Sequence, residues 1–187
     1  MTAPALTPFL QSDKRWRFRK VGKGTSTMWG AGCLVCCVTE AARRVGGQPA
    51  LLPTETNDLG VAADAFTGSN ARIPDLAACV KMSALRERRV SVANGDDEMR
   101  KAIRRALSPD AGPPWCVILH VRHGGALGAH FLCGFALEAD GARVRCTDSA
   151  VGRETVIDIG TLEGPATWGA SVFRVVSVIP IGPHAGA

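Results

Sequence analysis

Apolar positions along the chain change their period near residue 112. Before it they recur at helical spacing. "CLVCCVTEAARRV" (33–45) reads as a helix stopped by Gly46 and Gly47. "ETNDLGVAADAF" and "PDLAACVKM" read as short helices, the second with Pro74 in its first turn. "DDEMRKAIRRAL" (96–107) is the clearest: acids open it, Met99, Ile103 and Leu107 line one side, and basic residues close it. After a turn-rich break, "SPDAGPP" (108–114), the period becomes that of strands. "WCVILHVR", "HFLCGFALE", "ARVRCTD", "ETVIDI" and "SVFRVVSVIP" are short, β-branched or aromatic, and bounded by Gly, Pro or Asp.

Helices first and an antiparallel sheet second predict an α+β fold. The first helix is apolar on all sides and needs a sheet against it. One domain over 1–187 is therefore expected, with a helical part at about 1–110 and a sheet part at about 113–182.

Composition narrows the class. No apolar run approaches the roughly 20 residues that cross a bilayer, and the start, "MTAPALTPFLQSDKRW", lacks the basic-then-apolar pattern of a secretory signal. The expected location is cytoplasmic. Seven cysteines are an odd number and, in a reducing compartment, are expected as thiols. The net charge of +5 gathers at "KRWRFRKVGK" (14–23), "RERR" (86–89) and "RKAIRR" (100–105). Such stretches can meet nucleic acid or anionic cell-wall polymers. No helix-turn-helix, zinc-finger or RNA-binding signature accompanies them, so a solvated surface is the preferred reading.

The segment "MWGAGCLVCCVTEAARRVGG" (28–47) holds three cysteines within five positions. Cys33 and Cys36 form a Cys-x-x-Cys, but the cysteines at 79, 116, 133 and 146 are isolated and supply no second zinc-ligand pair. A thioredoxin-like redox pair needs a strand before the motif, and none is evident. A third reading separates the three by position. Cys33 follows a glycine-containing approach and opens the helix, where unpaired N–H groups and the helix dipole favour an anionic sulfur. Cys36 and Cys37 lie deeper, among Leu34, Val35 and Val38, as small buried hydrophobes.

A nucleophilic thiol needs a base, and the base an orienting group. His184 lies in a Gly/Pro-rich tail, His120 alternates with Val117, Leu119 and Val121, and His123 sits in a turn. His130 opens a strand directly after a glycine-rich loop, and Asp148 ends the next strand. A three-residue hairpin "ADG" (139–141) that pairs Glu138 with Ala142 would set His130 opposite Ala150. Asp148 would then be its diagonal neighbour on the same face, roughly 7–8 Å away between backbones. Each residue also has a plain structural reading: a histidine before a strand, an aspartate in a turn. Their order across one hairpin favours the chemical one.

These segments resemble a known family. "QSDKRWRFRKVGKGTSTMWGAGCLVCCVTEAARRVGG" resembles the opening of the papain-like cysteine peptidases related to bacteriocin leader-processing domains. "GAHFLCGFALEADGARVRCTDSAVG" resembles their later block, with Gly-x-His-Phe, an apolar strand and an Asp-Pro-x-x-Gly turn. "LLPTETNDLGVAADAF" is similar to a Pro-x-x-x-Asn segment found between them. The resemblance implies a papain-like fold, with N-terminal helices packed on the antiparallel sheet. It implies Cys33 as nucleophile, His130 as general base and acid, Asp148 as orienter, and Gln11 as an oxyanion-hole donor beside the Cys33 N–H. No cofactor and no metal are implied. Ser149 stands where the family carries proline, and the membrane segments of the transporter-linked members are missing. The implied substrate is a protein or a peptidoglycan peptide. Compact stand-alone relatives occur in phages and prophages, so a phage-associated location is expected beside a cytoplasmic one, and the alternative function is a structural or binding component of a phage particle with little turnover.

Overall fold

A computed structural model describes residues 6–84, 89–108, 115–123, 129–165 and 172–184, with the His123 side chain outside the description. The break expected at 108–114 lies outside these residues from 109 on, as do 86–88 of the second basic cluster, most of the glycine-rich loop before His130, and Ser171 at the start of the last expected strand.

The helical part contains α1 (Met28–Ala31), α2 (Cys33–Val45), α3 (Pro53–Ala62), α4 (Ile73–Cys79) and α5 (Asp96–Leu107). Four short strands intervene: β1 (Phe66–Thr67), β2 (Asn70–Ala71), β3 (Met82–Ala84) and β4 (Val90–Ser91). The sheet part follows with β5 (Cys116–His123), β6 (His130–Leu137), β7 (Arg143–Asp148), β8 (Arg153–Asp158), β9 (Glu163–Pro165) and β10 (Val172–Pro183).

The molecule is mixed α and β, with an antiparallel sheet in the order β3-β10-β5-β6-β7-β8-β9. β10 is long enough to serve several partners. One edge pairs with β5, and the other meets β9 at residues 172–174, β4 at 177–178 and β3 at 181–183. The β9–β10 pairing closes six strands into a barrel. A closed barrel leaves no unpaired edge. The helical part is therefore not purely helical: β3 and β4 extend the barrel sheet, and Met82, expected at the end of a helix, lies in β3.

Sequence chemistry explains the helices. Gly46 caps α2 with its N–H on Ala42 O, and Gly47 follows at φ 68°, a conformation that favours glycine. Pro74 stands in the first turn of α4. α5 carries Asp96, Asp97 and Glu98 in its first turn and Arg104 and Arg105 in its last, each matching the end of the helix dipole it faces. Residues 33–42 of α2 are all buried, which only a helix packed on several sides can satisfy.

Two apolar clusters result. The first joins Val35, Val38 and Ala41 of α2, Leu76 of α4, Met82, and Ile118 and Cys133 on the outer face of the barrel. The second places Met99 and Ile103 of α5 with the barrel side chains Leu119, Leu132, Val144, Ile157 and Phe173. Burying such side chains stabilises by roughly 1.5–3 kcal/mol each. Within α2 sits one buried carboxylate, Glu40, bonded to Arg44 Nε (2.8 Å) and Arg43 Nη1 (3.2 Å). Burial pushes its carboxyl up, and the charges of Arg44 and Arg43 oppose that. Arg44 continues over the Phe135 ring at 3.7 Å and towards Glu154 of β8, tying the helix to the sheet.

Candidate active site

The site forms where the N-terminus of α2 meets the start of β6. A short helical turn, α1, leads into Gly32, whose φ of −80° and ψ of −3° run directly into α2. A Cβ at Gly32 would lie 2.4 Å from Met28 O, so the close approach of the two helical segments admits only glycine. Cys33 is thereby the first residue of α2, 9% exposed.

Cys36 and Cys37 sit in the apolar cluster below it. Burial, aided by the charge on Cys33, pushes both thiols up, so they stay protonated at neutral pH. Cys133 and Cys146 are also fully buried; the hydrogen bond with Cys116 followed by burial raises the former, and burial raises the latter. Among the described residues, no group of three or more His, Cys, Asp or Glu side chains gathers in a metal-holding arrangement.

His130 opens β6 and is buried. Its Nε2 lies 2.8 Å from Asp148 Oδ1, and its ring stacks on Phe173 at 5.8 Å. Cys33 stands close enough to the ring to act on its charge. With Nε2 facing Asp148, Nδ1 is the nitrogen left for the sulfur. Burial by itself pushes this imidazole down. The hydrogen bond with Asp148, then the effect of Cys33, outweigh burial and bring it to about 9. Asp148 is fully buried, and its Oδ1 also accepts the Ala150 N–H at 2.9 Å, which holds the turn after β7.

The hairpin delivers this pair by a route that differs from the expected one. Glu138 pairs with Arg143 rather than Ala142, leaving four loop residues, 139–142. Asp140 Oδ1 accepts the Ala142 N–H, Gly141 at φ 64° donates to Glu138 O, and this turn absorbs the extra residue. That loop alone would put His130 and Asp148 on opposite faces, because one residue of slip inverts a strand. A β-bulge between Gly134 and Ala136 restores the parity: Leu137 stands opposite Val144, but Cys133 stands opposite Thr147. Continued to the end of the strand, this register sets His130 opposite Ala150.

Gln11 reaches the same corner from the N-terminal arm. Its backbone N–H donates to Ser149 O at 2.8 Å, and its Oε1 accepts the Ser149 hydroxyl at 3.1 Å. Its Nε2 donates to Trp29 O at 2.6 Å, one turn before Cys33. The arm is anchored by Trp16, which is buried and donates its indole N–H to Leu10 O at 3.0 Å, and by Phe9 packed edge-on against that ring. Ser149 is itself buried, and its two bonds to Gln11 join the N-terminal arm to the turn after β7.

Two other histidines have different partners. His120 stacks on Phe131 at 4.9 Å and lines the cleft beside Cys33 without reaching Asp148. His184 Nδ1 is 3.1 Å from Ser83 Oγ. Sequence reasoning did not single out Arg89 as a site residue; it borders the same cleft, and its place in a basic cluster hid it. Four residues of the first basic cluster have partners in the fold: Arg15 on Asp13, Arg19 on Asp58, Lys23 on Asp64 and Arg17 over Phe18. No helix of the described residues is long and apolar enough to cross a membrane.

No known protein-family model matches the chain, and no curated protein matches it at a significant level.

Proposed function

We propose that the protein is a cysteine peptidase or amidohydrolase of the papain-like type, with Cys33 as nucleophile. The observation that carries this reading is the buried chain from Cys33 through the His130 ring to Asp148, with Nε2 held 2.8 Å from the carboxylate. A thiol at a helix start, an imidazole held protonated beside it and a carboxylate behind the imidazole are the parts thiol acylation requires. A helix that opens with the nucleophile and packs on a barrel strand that opens with the base supports the papain-like comparison.

In this reading the Cys33 thiolate attacks an amide carbonyl. The oxyanion accepts hydrogen bonds from the Cys33 N–H and from the Gln11 carboxamide, whose orientation is set by Ser149 and Trp29. Collapse of the tetrahedral adduct breaks the C–N bond, and His130 Nδ1 gives its proton to the departing amine. A thioester remains on Cys33. Water, deprotonated by His130, adds to the thioester, and the acid leaves as the thiolate is restored.

Alkylation with iodoacetamide at mildly acidic pH, followed by peptide mapping, tests the nucleophile. Cys33 should be modified while Cys36 and Cys37 are spared. Cys33→Ala should abolish peptide hydrolysis in a folded protein. Loss of hydrolysis in well-folded Cys36→Ala, with Cys33 intact, would refute the assignment.

A further inference from the structure

The mechanism leaves the cleft beside Cys33 unexplained. A cavity of about 350 Å³ runs from Cys33 and Gly30 past Phe131 and His120 to Arg89. It continues into a second, of about 460 Å³, sharing Ala71, Ile73, Arg89 and Ile179 with the first. Together they form a groove that starts at the nucleophile. Its walls next to Cys33 are apolar, from Leu34, Phe66, Phe131 and Ile179, with Ser69 and Asn70 at one rim.

The charge in this section is of one sign. None of the described residues lining it is acidic. Arg89 is the one full cation among them, and among the described residues it has no carboxylate partner. Its Nε donates to the Oγ of Ser177, a buried residue of β10, at 3.0 Å. That bond fixes the guanidinium at the groove while leaving both Nη groups, the pair that grips a carboxylate in parallel. The side chain of His120 reports the same field: burial, then the charges of Arg122 and Arg89, push its imidazole down. The second cavity adds Arg72 and Asp75, which pair with each other. Among the described residues, the anchored guanidinium of Arg89 is thus the charge left over along the groove, and it favours an anionic group at that point.

We infer that the groove takes a peptide with an acidic side chain near the scissile bond, its carboxylate paired with Arg89 while its apolar neighbours lie along the groove. This rests on the peptidase reading and adds its substrate class.

Two alkylating reagents separate the two claims. Iodoacetate carries a carboxylate and iodoacetamide does not, and both are attacked by a thiolate. The ratio of their rates at Cys33, followed by mass spectrometry, should fall about three- to tenfold in Arg89→Gln, the scale of one partly screened charge lining the same cavity. Arg89→Lys should keep most of the ratio. In the wild type, about 0.5 M salt should lower it, which needs no variant to fold. In hydrolysis, amidated peptides with Glu near the bond should be cut faster than their Gln counterparts, and Arg89→Gln should erase the difference. Amidation removes the free terminal carboxylate as the source of any preference. A ratio unchanged in Arg89→Gln, with Cys33 still fast towards iodoacetamide, would overturn the Arg89 role and leave the peptidase reading standing. A Cys33 slow towards both reagents would bring down both.

Discussion

Asp148→Asn removes one charge from the buried end of the Cys33–His130–Asp148 chain and keeps the shape of the side chain. Its carbonyl can still accept the Ala150 N–H that Asp148 Oδ1 accepts at 2.9 Å, so the turn after β7 should survive. His130 changes more. Its imidazole stands at about 9 against an ordinary 6.5, which is a preference of roughly 3 kcal/mol for the protonated ring. Burial works against that preference, and the bond to Asp148 is the strongest influence sustaining it. Without the carboxylate, burial is opposed less strongly, and the ring should titrate well below 9. Stability follows the same sign. A pKa raised by folding means that protonated His130 stabilises the native state fully below pH 6.5, and that this contribution disappears as the pH rises through about 9. Wild-type protein should therefore lose roughly 3 kcal/mol across that window, while Asp148→Asn should lose much less and start lower. Labelled histidine ring signals, followed by NMR between about pH 5 and pH 10, read the ring directly. Denaturant unfolding at the two ends of the window reads the stability. Cys33→Ser should also lower the titration of the ring, because Cys33 is the second group that sustains its charge. If the His130 titration in folded Asp148→Asn coincides with that of the wild type, the carboxylate does not hold the imidazole charged, and its place in the mechanism falls.

Two further outcomes follow from the same corner. Gln11→Ala should lower turnover by about a hundredfold or more with a smaller change in KM, the usual effect of losing one oxyanion donor. Ser149→Ala frees the amide that its hydroxyl orients at 3.1 Å and should lower turnover by about tenfold. In the double variant the Ser149 change should add little, since its action passes through Gln11; full additivity would separate the two residues. Gly32→Ala must place a methyl 2.4 Å from Met28 O, so it should destabilise by about 1–3 kcal/mol and slow Cys33 alkylation. Wild-type melting and reactivity in Gly32→Ala would show that α1 and α2 can move apart.

Local chemistry determined much of this molecule. The acids and bases that frame α5, the glycines that end α2 and the alternation along β5 are encoded within a few residues, and each element formed where its own pattern placed it. The same holds for Cys33 against Cys36 and Cys37, because position along a helix separates an end from a buried interior. The short strands β3, β4 and β9 had no such signal. Two or three residues carry no usable period, and these exist because the long β10 offers its edge to them. The meeting of His130 and Asp148 was legible only in part. Their spacing across a hairpin is sequence information, but the loop is one residue longer than its "ADG" suggests, and the bulge at Phe135 cancels the difference. No local pattern announces that bulge. At Gly134 a Cβ would lie 2.7 Å from Val117 Cγ2 and 2.9 Å from Val144 Cγ1, while Phe135 is drawn to the other side, beneath Arg44 of α2. Packing between a helix and a barrel wall thus decided which face His130 and Asp148 share. Arg89 became part of the groove for the same reason: Ser177, far away along the chain, holds it there.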